Sequence, residues 1–212
     1  MKKPIHVFDL DGTILDSMPM WRNLAKNFLL SQGVNPPDNI LDRLLTLTLK
    51  QSAVLFKNDF LPKLSADEIN DMMMDYVRHQ YANNIIAKPG ALEYMKEVAN
   101  RNIYVILATA TPEEQAIAIV DRFNLPIDEL ITVDKVGIQK NDPSFFSKIG
   151  NNLVVYEDAL HAIQSAIVSG AYVVAIDEPA RADKELILPL VNEYWYDWLD
   201  KEVPKSYASQ KE

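Results

Sequence analysis

Apolar residues in this chain follow two rhythms. Ile5-His6-Val7-Phe8, Tyr104-Val105-Ile106-Leu107-Ala108, Leu153-Val154-Val155-Tyr156 and Tyr172-Val173-Val174-Ala175-Ile176 are short, nearly unbroken runs rich in β-branched residues. Runs of this kind predict strands buried on both faces, as in a parallel sheet. Glu129 to Val133 is a fifth, weaker run. Helical patterns separate them. After Pro89-Gly90, the residues Ala91, Leu92, Met95, Val98 and Ala99 share one face. Thr111-Pro112-Glu113-Glu114 reads as a capping box with proline at the first helical position, and its helix should turn Ile117, Val120 and Phe123 inward. Further helices are expected over 142–149 and 159–169, the second ended by Gly170. The stretch 186–199 is amphipathic, and from Pro204 onward the chain is polar and should fray.

The second rhythm fills residues 17–86. Trp21, Leu24, Ala25, Phe28 and Leu29 recur at helical spacing, and Gly33 with Pro36-Pro37 stops that helix. Residues 39–57 are again helical in period, in two pieces around Thr46-Leu47-Thr48. Ser65-Ala66-Asp67-Glu68 is a capping box for a helix reaching about Tyr81. No strand pattern interrupts this segment. The chain therefore predicts an α/β fold: a doubly wound, Rossmann-like parallel sheet of five strands, split by an insertion. The α/β core would comprise 1–16 and 87–212, and an α-helical cap domain 17–86. Strand ends in such a core converge on one edge, and the inserted helices become a candidate lid over it.

Charged residues gather where those strands end. Asp9 and Asp11 follow the first strand and precede Gly12, which permits a sharp turn and a close backbone approach to a ligand. Residues two apart on an extended chain point to one side, and like charges held so near need a cation or a proton between them. A divalent metal site pairing a nucleophilic with an acid/base carboxylate meets that need; a solvated turn is the plainer alternative. A calcium loop fails, because Met20 stands at the twelfth position where an acid is required. Thr109 closes the second strand, where a hydroxyl and free N–H groups suit a phosphate, although a strand-ending threonine can equally be structural. For Thr111, helix capping is the preferred reading. Lys140 precedes a helix start with Asp142 as cap and Pro143 in the first turn, a setting that suits an anion, although a loop lysine by itself is more often a solvated charge. Glu157 and Asp158 follow the buried strand 153–156; Glu157 can cap the next helix while Asp158 binds metal. His161, on that helix, is left outside the catalytic set.

The string Phe8-Asp9-Leu10-Asp11-Gly12-Thr13-Ile14-Leu15-Asp16-Ser17 closely resembles the first signature of the haloacid dehalogenase superfamily. Thr109 is similar to its second, with Ala110 where many members carry Asn. Lys140-Asn141-Asp142-Pro143-Ser144-Phe145-Phe146 resembles its Lys-Pro-x-Pro-x-x-aromatic signature, with Asn141 for the first proline. Glu157-Asp158-Ala159-Leu160-His161-Ala162-Ile163 resembles its Glu-Asp-Ser-x-x-Gly-Ile signature, with Ala159 and Ala162 substituted. The order of the four, and the helical insertion after the first, is that of the capped phosphatase and β-phosphoglucomutase-like branch.

That resemblance implies a phosphomonoester hydrolase acting on a small phosphorylated metabolite. Asp9 would attack phosphorus and form an aspartyl phosphate, Asp11 would serve as acid and then base, and Thr109 and Lys140 would bind the phosphate. Mg²⁺ would be held by Asp9, the Asp11 carbonyl and Asp158, with Glu157 further out. Asp11 argues against a dehalogenase, and Thr13, where β-phosphoglucomutases usually have Val, tilts away from a phosphomutase, which is the main alternative. A receiver-type phospho-acceptor would have its acidic pair elsewhere and no insertion, and a non-catalytic binding protein would have lost the nucleophile. Specificity would lie in the lid, where Arg43, Lys50 and Lys57 are the available cations.

Composition narrows the partners. A net charge of −9 repels nucleic acid and anionic membranes, so an anionic substrate needs a local cation. There is no cysteine, hence no thiol chemistry and no disulfide. No apolar run reaches the ~20 residues of a membrane span and no leader pattern opens the chain. The expectation is a cytoplasmic protein, monomeric or a weak homodimer.

Overall fold

The computed structural model describes residues 3–44, 47–179 and 181–204. They form two compact units, Met1–Met18 with Ile86–Glu212, and Pro19–Ile85.

The first unit is built on strands β1 (Ile5–Phe8), β2 (Tyr104–Thr109), β3 (Glu129–Thr132), β4 (Leu153–Glu157), β5 (Tyr172–Ile176) and β6 (Glu193–Trp195). They lie in the order β3-β2-β1-β4-β5-β6, and every pairing is parallel. The sheet thus has six strands, one more than the sequence pattern predicts. β6 is three residues at the edge with only Trp195 buried, too short for an alternation to declare itself. The stretch read as one amphipathic segment is in fact a short helix (Lys184–Ile187), a turn and this strand, with Leu186, Leu190 and Leu199 exposed.

Alternation along the strands sorts side chains to two faces. One face carries Val7, Ile106, Ala108, Val155, Val173 and Ala175, packed with Phe145, Phe146, Ile163 and Ala166. The other is aromatic: Phe8 stacks on Tyr156 at 4.4 Å, with Tyr94, Trp195 and Trp198 around them. His6 Nδ1 and the Tyr94 hydroxyl both hydrogen-bond the Tyr156 hydroxyl, whereas His6 Nε2 has no hydrogen-bond partner among the described residues. The helix over 113–123 buries Gln115, Ala116 and Ile119 and leaves Ile117 exposed, contrary to the expected inward stripe. The buried stripe is rotated by one position, onto Ala116 and Ile119.

The second unit holds helices over Ile40–Leu44, Leu49–Asp59 and Ala66–Asn83 and most of the helix Met18–Ser31. Leu24, Phe28, Leu29, Phe56, Ile69, Met73 and Val77 are buried, and Phe28 stacks on Phe56 at 6.0 Å. The predicted box at Ser65 and Glu68 is formed, and a second joins Thr48 to Gln51. Thr46, placed in the expected break, lies outside the described residues. Arg43 is not a free cation, since it pairs with Asp59; Lys50 and Lys57 are exposed. Among the described residues no helix is long and apolar enough to cross a membrane.

Candidate active site

The three central strands end in register. Phe8 pairs with Leu107 on one side and Tyr156 on the other, and the Asp9 N–H continues the ladder to the Tyr156 carbonyl at 3.0 Å. One step further along each strand comes Asp9, Ala108 or Glu157, and one more brings Thr109 and Asp158. β1 and β4 flank the point where the strand order reverses, the place where open α/β sheets bind ligands.

Lys140 ties this row together. Its Nζ lies 2.6 Å from Asp9 Oδ1, 2.5 Å from Glu157 Oε1 and 3.2 Å from the Ala108 carbonyl, giving each of its three N–H groups an acceptor. The other Glu157 oxygen accepts the N–H groups of Asp158 (2.6 Å) and Ala159 (2.8 Å), which fixes the turn out of β4; the expected helix cap is not formed, since Ala159 is the N-cap of the next helix and no side chain caps it. Asp158 faces the Thr13 hydroxyl at 3.5 Å through Oδ1 and the Arg181 guanidinium through Oδ2. All of these except Arg181 are buried.

Burial governs the protonation of the cluster. It pushes Asp9 up to about 7, reinforced by the charge of Glu157 and opposed by Lys140. Asp158 is raised well above the carboxylate range, again by burial first and then by Glu157 and Asp9. Burial works against ionised Glu157 too, but the Lys140 charge and the hydrogen bonds it receives outweigh this and hold it below its usual value. Lys140 is desolvated as well, yet Asp9 and Glu157 keep its ammonium firmly charged.

A divalent cation fits these residues. Asp9, Glu157 and Asp158 each bring a carboxylate oxygen within 4.8 Å of the others, and Asp9 Oδ2 is buried with no hydrogen-bond partner among the described residues. Oxygen donors crowded in this way, two of them pushed toward keeping a proton, are what a hard cation relieves. Gly12 has φ +85°, and a Cβ there would stand 2.4 Å from Asp158 Oδ2. Glycine alone leaves that carboxylate its room.

Asp11 is oriented differently from Asp9 and is not part of the cluster. Its Oδ1 accepts the Ser17 hydroxyl at 2.6 Å and its Oδ2 the Thr111 hydroxyl at 2.5 Å. The expected capping box at Thr111 is therefore absent: Pro112 is the helix N-cap, without a side-chain cap bond. The Thr111 N–H folds back on Thr109 Oγ1 at 3.0 Å. Thr109 is buried, and its hydroxyl retains a proton to donate.

The structure thus gathers Asp9, Lys140, Glu157 and Asp158, sets Thr109 beside them and turns Asp11 toward two hydroxyls. Sequence reasoning missed Ser17, the role of Thr111, and Arg181. Ser17 was visible in the first motif string. Arg181 carried a weaker signal, as a cation in the loop after β5, another strand ending on the same edge.

Comparison with known proteins adds to this geometry. The sequence profile of the haloacid dehalogenase-like hydrolases matches residues 6–176. A phosphorylated carbohydrates phosphatase of Thermotoga maritima is 21% identical over 173 residues, covering 77% of this chain and 80% of the relative. Hexitol phosphatase A of Escherichia coli is 26% identical over 184 residues, covering 82% and 83%. A Thermotoga maritima protein crystallised as a candidate β-phosphoglucomutase superposes with a TM-score of 0.78 at 19% identity, over 90% of this chain and 93% of that one. The last likeness is one of fold.

Proposed function

The chain belongs to the haloacid dehalogenase-like hydrolase family, and on that footing we propose that it is a Mg²⁺-dependent phosphatase of small phosphomonoesters, most simply sugar or polyol phosphates. The observation that carries this reading is Asp9, a buried carboxylate with one oxygen on Lys140 and the other without a hydrogen-bond partner among the described residues. The two relatives named as carbohydrate and hexitol phosphatases support the choice of substrate class.

In the proposed reaction one Asp9 carboxylate oxygen bonds to phosphorus as the bond from phosphorus to the alcohol oxygen breaks. Asp11 gives that oxygen its proton and the alcohol leaves. Asp11, now ionised, takes a proton from water, whose oxygen attacks the aspartyl phosphate; phosphate departs and Asp9 is restored. The Ser17 and Thr111 hydroxyls hold Asp11 in one orientation through both steps. Thr109 donates to a non-bridging phosphate oxygen, and Lys140 offsets charge that develops beside Asp9. Held by Asp9, Asp158 and the Asp11 carbonyl, with Glu157 outside them, Mg²⁺ would supply the positive charge that lets a carboxylate approach an anionic phosphate. The helical unit is assigned to substrate selection.

The test is phosphate release from a panel of hexose, pentose and hexitol phosphates. Turnover should require Mg²⁺, stop in EDTA and fall at least about a thousandfold in Asp9→Asn. Turnover by Asp9→Asn near the wild-type rate would remove the covalent step.

A further inference from the structure

Arg181 stands on the carboxylate that the proposed metal needs. It reaches from the loop after β5, and its guanidinium meets Asp158 Oδ2, the same oxygen that lies over Gly12. We propose that Arg181 is a built-in competitor for the metal: it holds Asp158 in the metal-free protein and must leave before a divalent cation can take that carboxylate. The proposal rests on the reading of Asp9 and Asp158 as metal ligands.

The balance of charge favours such an exchange. Asp9, Glu157 and Asp158 are three buried acids, and Lys140 is the one buried ammonium among them. Two negative charges remain when all three are ionised. Arg181 cancels one of them, whereas a divalent ion would cancel both. The guanidinium is thus a partial substitute for the metal, adequate to keep the acidic cluster folded without the ion and inferior once the ion arrives.

Geometry makes the substitute displaceable. The Asp158 side chain is 1% exposed, whereas that of Arg181 is 26% exposed and sits on a segment that is neither helix nor strand. The arginine can therefore swing toward solvent without unpacking the core, while Asp158 stays where β4 delivers it. Lys140 has no such freedom: it is buried with all three N–H groups engaged. A ligand whose site is open only part of the time binds more weakly by that fraction. For a charge-assisted pair closed about nine-tenths of the time the penalty is about tenfold.

The experiment is calorimetric titration of Mg²⁺ into substrate-free wild type, Arg181→Gln and Arg181→Lys, with melting curves of each in EDTA and in saturating Mg²⁺. The glutamine variant should bind Mg²⁺ about tenfold more tightly, melt lower than wild type in EDTA, and gain more from the metal. Lysine should fall between, and it supplies the affinity ranking if the glutamine variant does not survive chelation. Equal or weaker Mg²⁺ binding in both variants would overturn the role of Arg181 and leave the metal site standing. Absence of Mg²⁺ binding in all three proteins would overturn the metal site itself, and this proposal with it.

Discussion

Thr111 donates its hydroxyl proton to Oδ2 of Asp11 across the gap between the end of β2 and the loop after β1. With Ser17 on the other oxygen, Asp11 has both its carboxylate oxygens engaged by hydroxyls. An acid that must give a proton to a leaving group and then take one from water gains from a fixed direction. Thr111→Val keeps the shape and removes the donor. It should lower kcat by about ten- to a hundredfold with KM changed much less. Thr111→Ser should restore most of the loss. Steady-state kinetics on the best substrate of the panel checks both, and a change confined to KM would place Thr111 in substrate binding instead.

The second expectation concerns pH. In the metal-free protein Asp9 sits at about 7 against 3.8 for an ordinary aspartate, so between those values the native chain holds a proton that the unfolded chain has released. Stability from this group is full below about pH 4, declines as pH rises, and is gone once Asp9 ionises near 7. Asp158, also raised, acts in the same direction. Melting temperature in EDTA should therefore fall from pH 5 to 7.5. In Asp9→Asn the fall should be smaller, and above pH 7 that variant should melt higher than wild type. Added Mg²⁺ binds the ionised form, so its stabilising effect should grow with pH. A melting temperature that rises over this range in EDTA would contradict the assignment.

Much of the arrangement was legible before any coordinates. Strand-end acids announce themselves because an apolar run must stop before a charge, so Asp9, Glu157 and Asp158 marked the edge of the sheet. Thr111 was misjudged because a threonine, a proline and two glutamates fit a capping pattern on local grounds. Its hydroxyl is claimed instead by an aspartate 100 positions away. Arg181 could not be paired with Asp158 from spacing, since their meeting depends on β4 and β5 lying side by side. β6 escaped notice because a three-residue edge strand is defined by its neighbour rather than by its own pattern.

Gly12 provides a third test, on the loop that shapes the site. Alanine there would meet both a positive φ and the Asp158 carboxylate 2.4 Å away. The backbone strain alone costs about 1–3 kcal/mol. The clash adds to it unless Asp158 turns aside. Gly12→Ala should melt lower than wild type, and its apparent Mg²⁺ affinity should fall by at least about tenfold because a ligand has moved. Titration of Mg²⁺ into the folded variant separates the two effects. Unchanged metal affinity in a destabilised protein would show that Asp158 is not the ligand.

The last expectation separates hydrolysis from phosphoryl transfer within a sugar. Both reactions use the same aspartyl phosphate, so Asp9, Asp11 and Lys140 cannot distinguish them. The difference lies in water: a phosphatase admits it once the alcohol leaves, and a mutase excludes it while a bisphosphate turns over. Thr13 lies directly after the acidic loop, with its hydroxyl 3.5 Å from Asp158 Oδ1 and its carbonyl accepting the Trp198 indole N–H. A hydroxyl at this position rather than a branched hydrocarbon keeps the loop polar, which favours water. Given hexose 1-phosphate and a trace of the hexose bisphosphate, the enzyme should release free phosphate as its main product. Thr13→Val, which makes the position apolar at nearly constant volume, should slow that release more than it slows formation of the aspartyl phosphate. Rapid-quench measurement of the burst against the steady rate resolves the two steps. Hexose 6-phosphate formed much faster than free phosphate by the wild type would establish a mutase in place of the phosphatase proposed.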